Sequence, residues 1–195
     1  MSQSTTNVKG LPEFSRHITT HDADGVAVFQ TPDPDADDIS AAATSCPAPP
    51  ISTFPTWTNY PDSAFGLAYA TPTIPADFNA NADLEAYYQY LHSHPGITVK
   101  GGSVLRVVDM APGARSPMYR TVSLDYGVVL EGEVELELGS GEKRLLPRGD
   151  LFVQRGTMHQ WKNPSDTQPA RLLLVHLDST PVVVEGKGTL PETMT

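Results

Sequence analysis

Residues 128–138 read Val-Val-Leu-Glu-Gly-Glu-Val-Glu-Leu-Glu-Leu and set the fold class. From Glu133 to Leu138 apolar residues alternate with glutamates, which is the period-two pattern of a strand with one buried and one solvated face. Turn sequences lie on both sides, at Glu131-Gly132 and at Gly139-Ser140-Gly141. Alternation of this kind between closely spaced turns indicates antiparallel β-structure.

Further strands are predicted at similar spacing along the second half of the chain. Their ranges are 103–110, 128–130, 143–146, 151–154, 158–162 and 170–177. Six or seven short strands within about 80 residues, separated by Gly-rich turns, are typical of a small antiparallel sandwich or barrel. The fold class is therefore predicted to be all-β.

The first half of the chain is less regular. An Asp-Gly turn at 22–25 predicts a strand pair from 15–20 and 26–29, and 52–60 is predicted as a further strand. Residues 1–12 and the Pro-rich stretch 31–52 are predicted as loop. One helix is predicted at 82–92, capped by Asn81 or Asp83. We expect an N-terminal extension over 1–96 packing on a barrel over 97–180, and a tail over 181–195.

Composition excludes several classes of function. The 195 residues contain 13 Lys and Arg against 23 Asp and Glu, a net charge of −10. Such a chain has no basic surface for nucleic acid or for an anionic membrane. A single cysteine, Cys46, excludes an intramolecular disulfide and a multi-cysteine zinc site. No apolar run reaches the length of a membrane span, and the first residues lack a signal-peptide pattern, so we expect a cytoplasmic protein.

Two groups of glycines and polar residues lie at characteristic spacings in the second half of the chain. Gly113 and Gly132 bracket Tyr119, Thr121 and Asp125, and a second cluster contains Gly156, His159 and Asn163. In these spacings the chain resembles the cupin family, whose fold is a double-stranded β-helix, or jelly-roll, barrel. A closer resemblance, over 118–133 and 153–163, is to small single-domain cupins found beside fungal and bacterial secondary-metabolite genes. That group usually carries histidine at the position of Tyr119.

The resemblance implies which residues share a pocket inside the barrel. It places Tyr119, Thr121, Asp125 and His159 around one point. His159 is then the candidate proton acceptor and donor, Asp125 orients its imidazole, and the Tyr119 hydroxyl donates to a carbonyl or enolate oxygen. The remaining candidate substrate contacts are Thr121, Trp161, Arg106, Arg155 and Arg120.

Each of these residues also has a structural alternative. Tyr119 and Trp161 could simply fill the barrel, Asp125 and His159 could form a polar contact without chemistry, and Arg120 and Arg155 could lie at the surface. His92 and His94 are predicted as surface residues. The sequence does not place the other histidines or Trp57 relative to the pocket: His17, His21 and His176.

Three functional hypotheses follow. The first is a metal-independent cupin enzyme, a lyase or isomerase that dehydrates, decarboxylates, isomerises or cyclises a small aromatic or polyketide-like natural-product intermediate. The second is a metal-dependent cupin oxygenase with a single Fe, Zn, Ni or Mn ion, and the third is a non-catalytic small-molecule binder. The first is preferred because only Asp125 and His159 are ordinary metal ligands, so no metal or other cofactor is expected. A homodimer is also expected.

Overall fold

Two antiparallel sheets make up most of the protein in the computed structural model, which describes residues 6–30 and 57–194. The predicted strand at 52–60 is present in its described part, whereas the Pro-rich stretch 31–52 lies outside the described residues. The elements, in chain order, are β1 (Thr19–His21), β2 (Ala27–Phe29), β3 (Trp57–Asn59), β4 (Ser63–Thr71), α1 (Ala82–His92), β5 (Ser103–Met110), β6 (Tyr119–Arg120), β7 (Ser123–Glu131), β8 (Glu133–Leu138), β9 (Lys143–Pro147), β10 (Leu151–Arg155), β11 (His159–Lys162), β12 (Ala170–Asp178), β13 (Val183–Val184), β14 (Gly188–Thr189) and β15 (Thr193–Met194).

The larger sheet has six strands in the order β10-β7-β12-β5-β4-β3, and the smaller sheet has five in the order β15-β6-β11-β8-β9. Two small hairpins, β1-β2 and β13-β14, complete the β-structure of the described residues. The two large sheets face each other as the two halves of a jelly-roll barrel. The predicted all-β cupin fold is therefore confirmed, with the barrel held by packing between separate sheets rather than by one closed ring of strands.

A hydrophobic core joins the inner faces of the two sheets. Val129 and Leu172 of the larger sheet pack with Val134 and Trp161 of the smaller one. The rings of Phe152 and Trp161 lie 4.6 Å apart across this core. Burial of these side chains is what orients the alternate, inward-facing residues of each strand into the barrel.

The outer face of the larger sheet is covered by the N-terminal segment. Val8 and Trp57 pack there against Val107. Below this cluster the guanidinium of Arg171 donates to both carboxylate oxygens of Asp109, at 2.6 and 2.8 Å, and its third contact is the carbonyl oxygen of Pro12 at 2.6 Å. The segment before residue 97 therefore packs on the barrel, and it also supplies β3 and β4 to the larger sheet.

The helix α1 packs on β4 through Leu84 and Tyr87 and has the predicted bounds. Its predicted cap is wrong in detail. Asn81 is the residue before the helix, but it has a φ of 57° and makes no capping hydrogen bond through its side chain. Asp83 accepts a hydrogen bond from the Tyr69 hydroxyl at 2.5 Å. With 11 residues, α1 is far shorter than a bilayer crossing requires. Among the described residues, no helix is long and apolar enough to cross a membrane.

Strand bounds agree with the sequence patterns most closely where the alternation is strong. The strands 103–110 and 133–138 are found as predicted. The strand predicted at 128–130 begins earlier, at Ser123, and the paired strands of the N-terminal hairpin are only three residues long. The tail carries three short strands, of which β15 pairs with β6.

Candidate active site

Four polar side chains meet between the sheets near one end of the barrel. In the larger sheet Asp125 of β7 lies opposite His176 of β12, so the two residues share the inner face. In the smaller sheet His159 of β11 lies opposite Tyr119 of β6. We refer to Tyr119, Asp125, His159 and His176 as the barrel site. It contains all three predicted catalytic residues together with one histidine that the sequence did not place.

Asp125 and His176 form a buried hydrogen-bonded pair. Their exposed fractions are 3% and 4%, and Nδ1 of His176 lies 2.8 Å from Oδ1 of Asp125. Because a carboxylate oxygen accepts, Nδ1 carries the proton and donates it to Asp125. The carboxylate therefore orients the ring of His176, and Nε2 is the ring nitrogen that lies outside this hydrogen bond.

His159 is held differently. Its Nδ1 lies 2.8 Å from the backbone carbonyl of Thr157, which can only accept, so Nδ1 is protonated and Nε2 carries the lone pair. Burial lowers the pKa of His159 below its ordinary value, against the opposing effects of the Thr157 carbonyl and the Asp125 charge. The imidazole is thus neutral at physiological pH, which is the state that a general base requires.

Tyr119 packs against this imidazole, with the two ring centroids 4.3 Å apart and the ring planes inclined at 51°. Burial raises the pKa of Tyr119 to about 12, and the Asp125 charge acts in the same direction. The indole of Trp161 and the guanidinium of Arg106 lower the pKa, but they do not offset the increase. The phenol therefore keeps its proton and can serve as a hydrogen-bond donor.

Unpaired donors surround the barrel site. The indole Nε1 of Trp161 is near enough to Tyr119 to influence its pKa, yet it makes no hydrogen bond of acceptable geometry. Two more buried donors lack a partner among the described residues, namely Nε2 of Gln154 and Nε of Arg106. Gln154 lies opposite Asp125 in the neighbouring strand. Buried donors are normally paired, so these three mark where an acceptor-rich ligand would gain hydrogen bonds.

The structure divides the predicted substrate contacts into two groups. Arg106 faces the barrel interior, as the cross-strand partner of Leu174, and its guanidinium lies 5.9 Å from the ring of Phe65. Its Nη2 donates to the carbonyl of Gly96 at 2.9 Å. Trp161 and Thr121 are also buried, and the hydroxyl of Ser123 donates to that of Thr121 at 2.8 Å.

Arg120 and Arg155 lie elsewhere. Both line a groove of about 230 Å³, which Thr121, Ser123 and the tail residue Val182 also line. Nη1 of Arg120 donates to the carbonyl of Pro191 at 3.4 Å, and Arg155 is exposed. These two arginines therefore sit above the barrel site rather than within it.

The remaining histidines and Trp57 lie outside the barrel site. His17 and His21 lie on the outer side of the larger sheet, and Trp57 is buried in the N-terminal cluster there. Nδ1 of His92 lies 2.9 Å from the carbonyl of Tyr88, and His94 is exposed. The sequence carries no local signal for the orientation of His176, because the residues around it in β12 are apolar on both faces of the strand. The same holds for Gln154, since both Phe152 and Val153 precede it in β10.

The family's ligand positions in the barrel site carry two residues that are poor metal ligands, Tyr119 and Thr121. No group of three or more His, Cys, Asp or Glu side chains within residues 6–30 and 57–194 is arranged to hold one. At the family's ligand positions, the Thr121 hydroxyl is hydrogen-bonded to Ser123, and a tyrosine with a pKa of about 12 is a poor phenolate donor. Catalytic metal sites usually have three good protein ligands, and at the motif positions only Asp125 and His159 are ordinary ligands. His176 is a third such side chain in the barrel site, but its Nδ1 is hydrogen-bonded to Asp125.

Comparison with known proteins agrees with this architecture. Residues 106–176 match the family model of the cupin domain. The chain is 46% identical to phomopsin biosynthesis cluster protein C' of Diaporthe leptostromiformis, over 92% of this chain and 87% of that protein. It is 38% identical to a cupin-domain-containing oxidoreductase of Neurospora crassa, over 91% of this chain and 80% of that protein. The chain belongs to the cupin superfamily.

Among solved structures, the chain is similar to the polyketide cyclase RemF of Streptomyces resistomycificus. That match has 19% identity and a TM-score of 0.40, and it covers 60% of this chain and 65% of the cyclase. A likeness at this level carries no argument about function.

Proposed function

We propose that this protein is a metal-independent cupin enzyme that performs acid–base chemistry on a small aromatic or polyketide-like natural-product intermediate. The reaction is a dehydration, decarboxylation, isomerisation or cyclisation. One observation carries the proposal: the barrel site holds two buried imidazoles with different hydrogen-bond partners, one bonded to a carboxylate and one to a backbone carbonyl. Two imidazoles held in these different ways can divide the roles of base and acid between them.

His159 is the base in this proposal. Its Nε2 removes a proton from the carbon next to a substrate carbonyl, and the electron pair of that C–H bond moves to the carbonyl oxygen. Tyr119 donates a hydrogen bond to the developing enolate oxygen, as its raised pKa keeps it protonated. Neighbouring aromatic rings make the pocket dry, which strengthens both interactions.

His176 is the acid. When it is protonated, the carboxylate of Asp125 stabilises the imidazolium, and Nε2 passes its proton to a leaving hydroxyl group or to the carbon that becomes protonated. The proton taken by His159 and the proton given by His176 balance in a dehydration, because the second departs with the hydroxyl as water. In an isomerisation one carbon loses a proton to His159 and a second carbon gains a different proton from His176, so the substrate's proton count is unchanged.

The substrate class follows from the lining of the pocket. Aromatic rings at Tyr119, Phe152 and Trp161 favour a flat, unsaturated molecule, and the unpaired donors of Gln154 and Arg106 favour oxygen substituents. The match to a protein named for the phomopsin biosynthesis cluster supports a role in natural-product biosynthesis.

The test measures proton removal directly. The protein is incubated in D2O with a panel of phenolic and β-hydroxy ketone compounds, and deuterium uptake next to the carbonyl is followed by NMR. We expect His159→Asn to slow the exchange by about 100- to 10 000-fold, which is the usual contribution of a positioned base. His92→Asn, a surface histidine on α1, is the matched control and should exchange like the unaltered protein. Binding without exchange in the unaltered protein would instead identify a non-catalytic binder.

A second candidate function is a metal-dependent cupin oxygenase. It is favoured by relatives that are named cupin-domain-containing oxidoreductases, such as the one in Neurospora crassa. Elemental analysis of untagged protein purified without chelator discriminates the two. A stoichiometric Fe, Zn, Ni or Mn ion whose removal abolishes turnover would replace the first proposal. Tyr119→His restores the family's ligand, and in the first proposal it raises metal binding while it lowers activity.

We also propose that two copies pair through the outer face at β10. Tyr126, Leu151 and Val153 are exposed there side by side, and β10 is an edge strand of the larger sheet. Exposed apolar edges of this kind favour association. The double substitution Leu151→Lys with Val153→Lys should convert a dimer to a monomer in analytical ultracentrifugation. A monomeric unaltered protein would refute the proposal.

A further inference from the structure

A second cleft lies on the opposite side of the larger sheet from the barrel site. It has a volume of about 860 Å³ and lies between the β1-β2 hairpin, the start of α1 and the outer face of β4 and β5. Leu105 lines it, whereas the next residue, Arg106, faces the barrel interior, because successive residues of a strand point to opposite faces. We call this space the outer cleft. Nothing in the proposed acid–base chemistry uses it.

A buried arginine forms part of its wall. Arg16 is only 9% exposed, and its Nη1 donates to the carbonyl of Ala68 at 2.7 Å and to the hydroxyl of Tyr87. The guanidinium also lies 5.3 Å from the centre of the Tyr87 ring. These contacts fix the plane of the guanidinium and hold it in place, so it is positioned before any ligand arrives.

The other edge of this guanidinium has no partner. Nε and Nη2 of Arg16 are both buried, and neither makes a hydrogen bond within the described part of the chain. These two N–H groups are parallel and match the spacing of the two oxygens of a carboxylate. A buried cation with two free donors is unfavourable by itself, and a carboxylate would supply both missing hydrogen bonds and the missing charge.

The one acid that lines the cleft does not fulfil this role. Asp83 forms no ion pair with Arg16 among the described residues, and its Oδ2 accepts from the Tyr69 hydroxyl. The rest of the wall combines polar residues, among them His17 and His21, with an apolar part that includes Ile18, Leu84 and Phe78, the last of which is 71% exposed. An arginine edge beside such a wall is complementary to a carboxylate attached to an apolar body.

We propose that the outer cleft binds a small aromatic or alkyl carboxylate, with its two oxygens on Nε and Nη2 of Arg16 and its apolar body against Phe78 and Leu84. Such a ligand would occupy a site separate from the barrel site. Its binding does not depend on His159, and the two sites are therefore testable independently.

The experiment titrates the full chain with benzoate and follows backbone and indole signals by NMR. We expect the signals of Ala68, Leu84 and Tyr87 to shift and the Trp161 indole signal to stay in place. Benzamide, a neutral molecule of the same shape, should bind at least tenfold more weakly. Arg16→Lys keeps the charge but loses the paired donors, and it should weaken benzoate binding at least tenfold, whereas His159→Asn should leave it unchanged.

Phe78→Ala provides a second variant that does not disturb the buried network, because Phe78 is exposed. It should weaken benzoate binding severalfold through the lost apolar contact. The proposal is overturned if benzoate and benzamide bind equally, if shifts appear at Trp161 instead of around Arg16, or if no binding is seen up to about 10 mM. Failure here would leave the deuterium-exchange result at His159 unaffected.

Discussion

Asp109→Asn should destabilise the protein strongly, although Asp109 is remote from the barrel site. Its carboxylate is fully buried and receives two hydrogen bonds from Arg171, whose side chain is 4% exposed. The substitution keeps the shape of the side chain but leaves the guanidinium without a counter-charge in the interior. Removing one partner of such a pair typically costs about 3–5 kcal/mol. For a protein of this size that corresponds to a fall in Tm of roughly 6–20 °C.

The double substitution Asp109→Leu with Arg171→Met separates charge burial from loss of contacts. It removes both charges and should restore most of the stability, leaving a loss of about 1 kcal/mol for the hydrogen bond from Arg171 to the Pro12 carbonyl. Glu135→Gln breaks an exposed ion pair with Lys143 and should change nothing beyond error. Urea unfolding of all three variants provides the measurement. If Asp109→Asn unfolds within 1 kcal/mol of the unaltered protein, the pair does not hold the N-terminal segment as argued.

Three further predictions concern the barrel. Burial lowers the pKa of His159 in the folded state, so as the pH falls this histidine takes up its proton in the unfolded chain first. The free energy of unfolding should therefore fall as the pH drops below 6.5, and thermal melts of His159→Asn should lack this pH dependence. Tyr119→Phe should fold with an unchanged Tm but slow deuterium exchange by about 100-fold, measured by NMR, and equal rates would exclude the hydroxyl from the reaction. Gly127→Ala places a methyl group inside the ring of Phe152 and should cost about 1–3 kcal/mol in urea unfolding, a loss that adding Phe152→Leu should relieve.

The sequence predicted those strands that bury one face and expose the other. Strands such as 103–110 and 133–138 carry clear alternation, and the motif glycines indicated where the turns fall. β4 was missed because Ser63–Thr71 alternates large residues with Gly and Ala rather than with polar residues, so it lacks the apolar–polar pattern of a strand with one solvated face. Its neighbours on both sides bury it, and that packing is a tertiary effect that no local pattern reports.

The candidate site was predicted in part, for a related reason. Motif spacing brought Tyr119, Asp125 and His159 together, since turns and strand lengths determine which residues lie opposite each other. His176 lies in a strand that follows 50 residues later, and only the register between β7 and β12 places it beside Asp125. The arginines were grouped by chemical type, whereas the structure separates Arg106, which faces the barrel interior, from Arg120, which follows the inward-facing Tyr119 in β6 and points to the other face.

The groups that we propose to react in the barrel site come from two separate sheets, and this arrangement has a consequence for how related proteins diverge. Asp125 and His176 belong to one sheet and Tyr119 and His159 to the other, so the gap between acid and base depends on the side chains packed between the sheets. A larger or smaller residue at Val134 would alter that gap without changing any reactive group. Displacements of about 1 Å can change rates by about 100-fold. Substrate preference can therefore drift through ordinary core substitutions while every catalytic residue is retained.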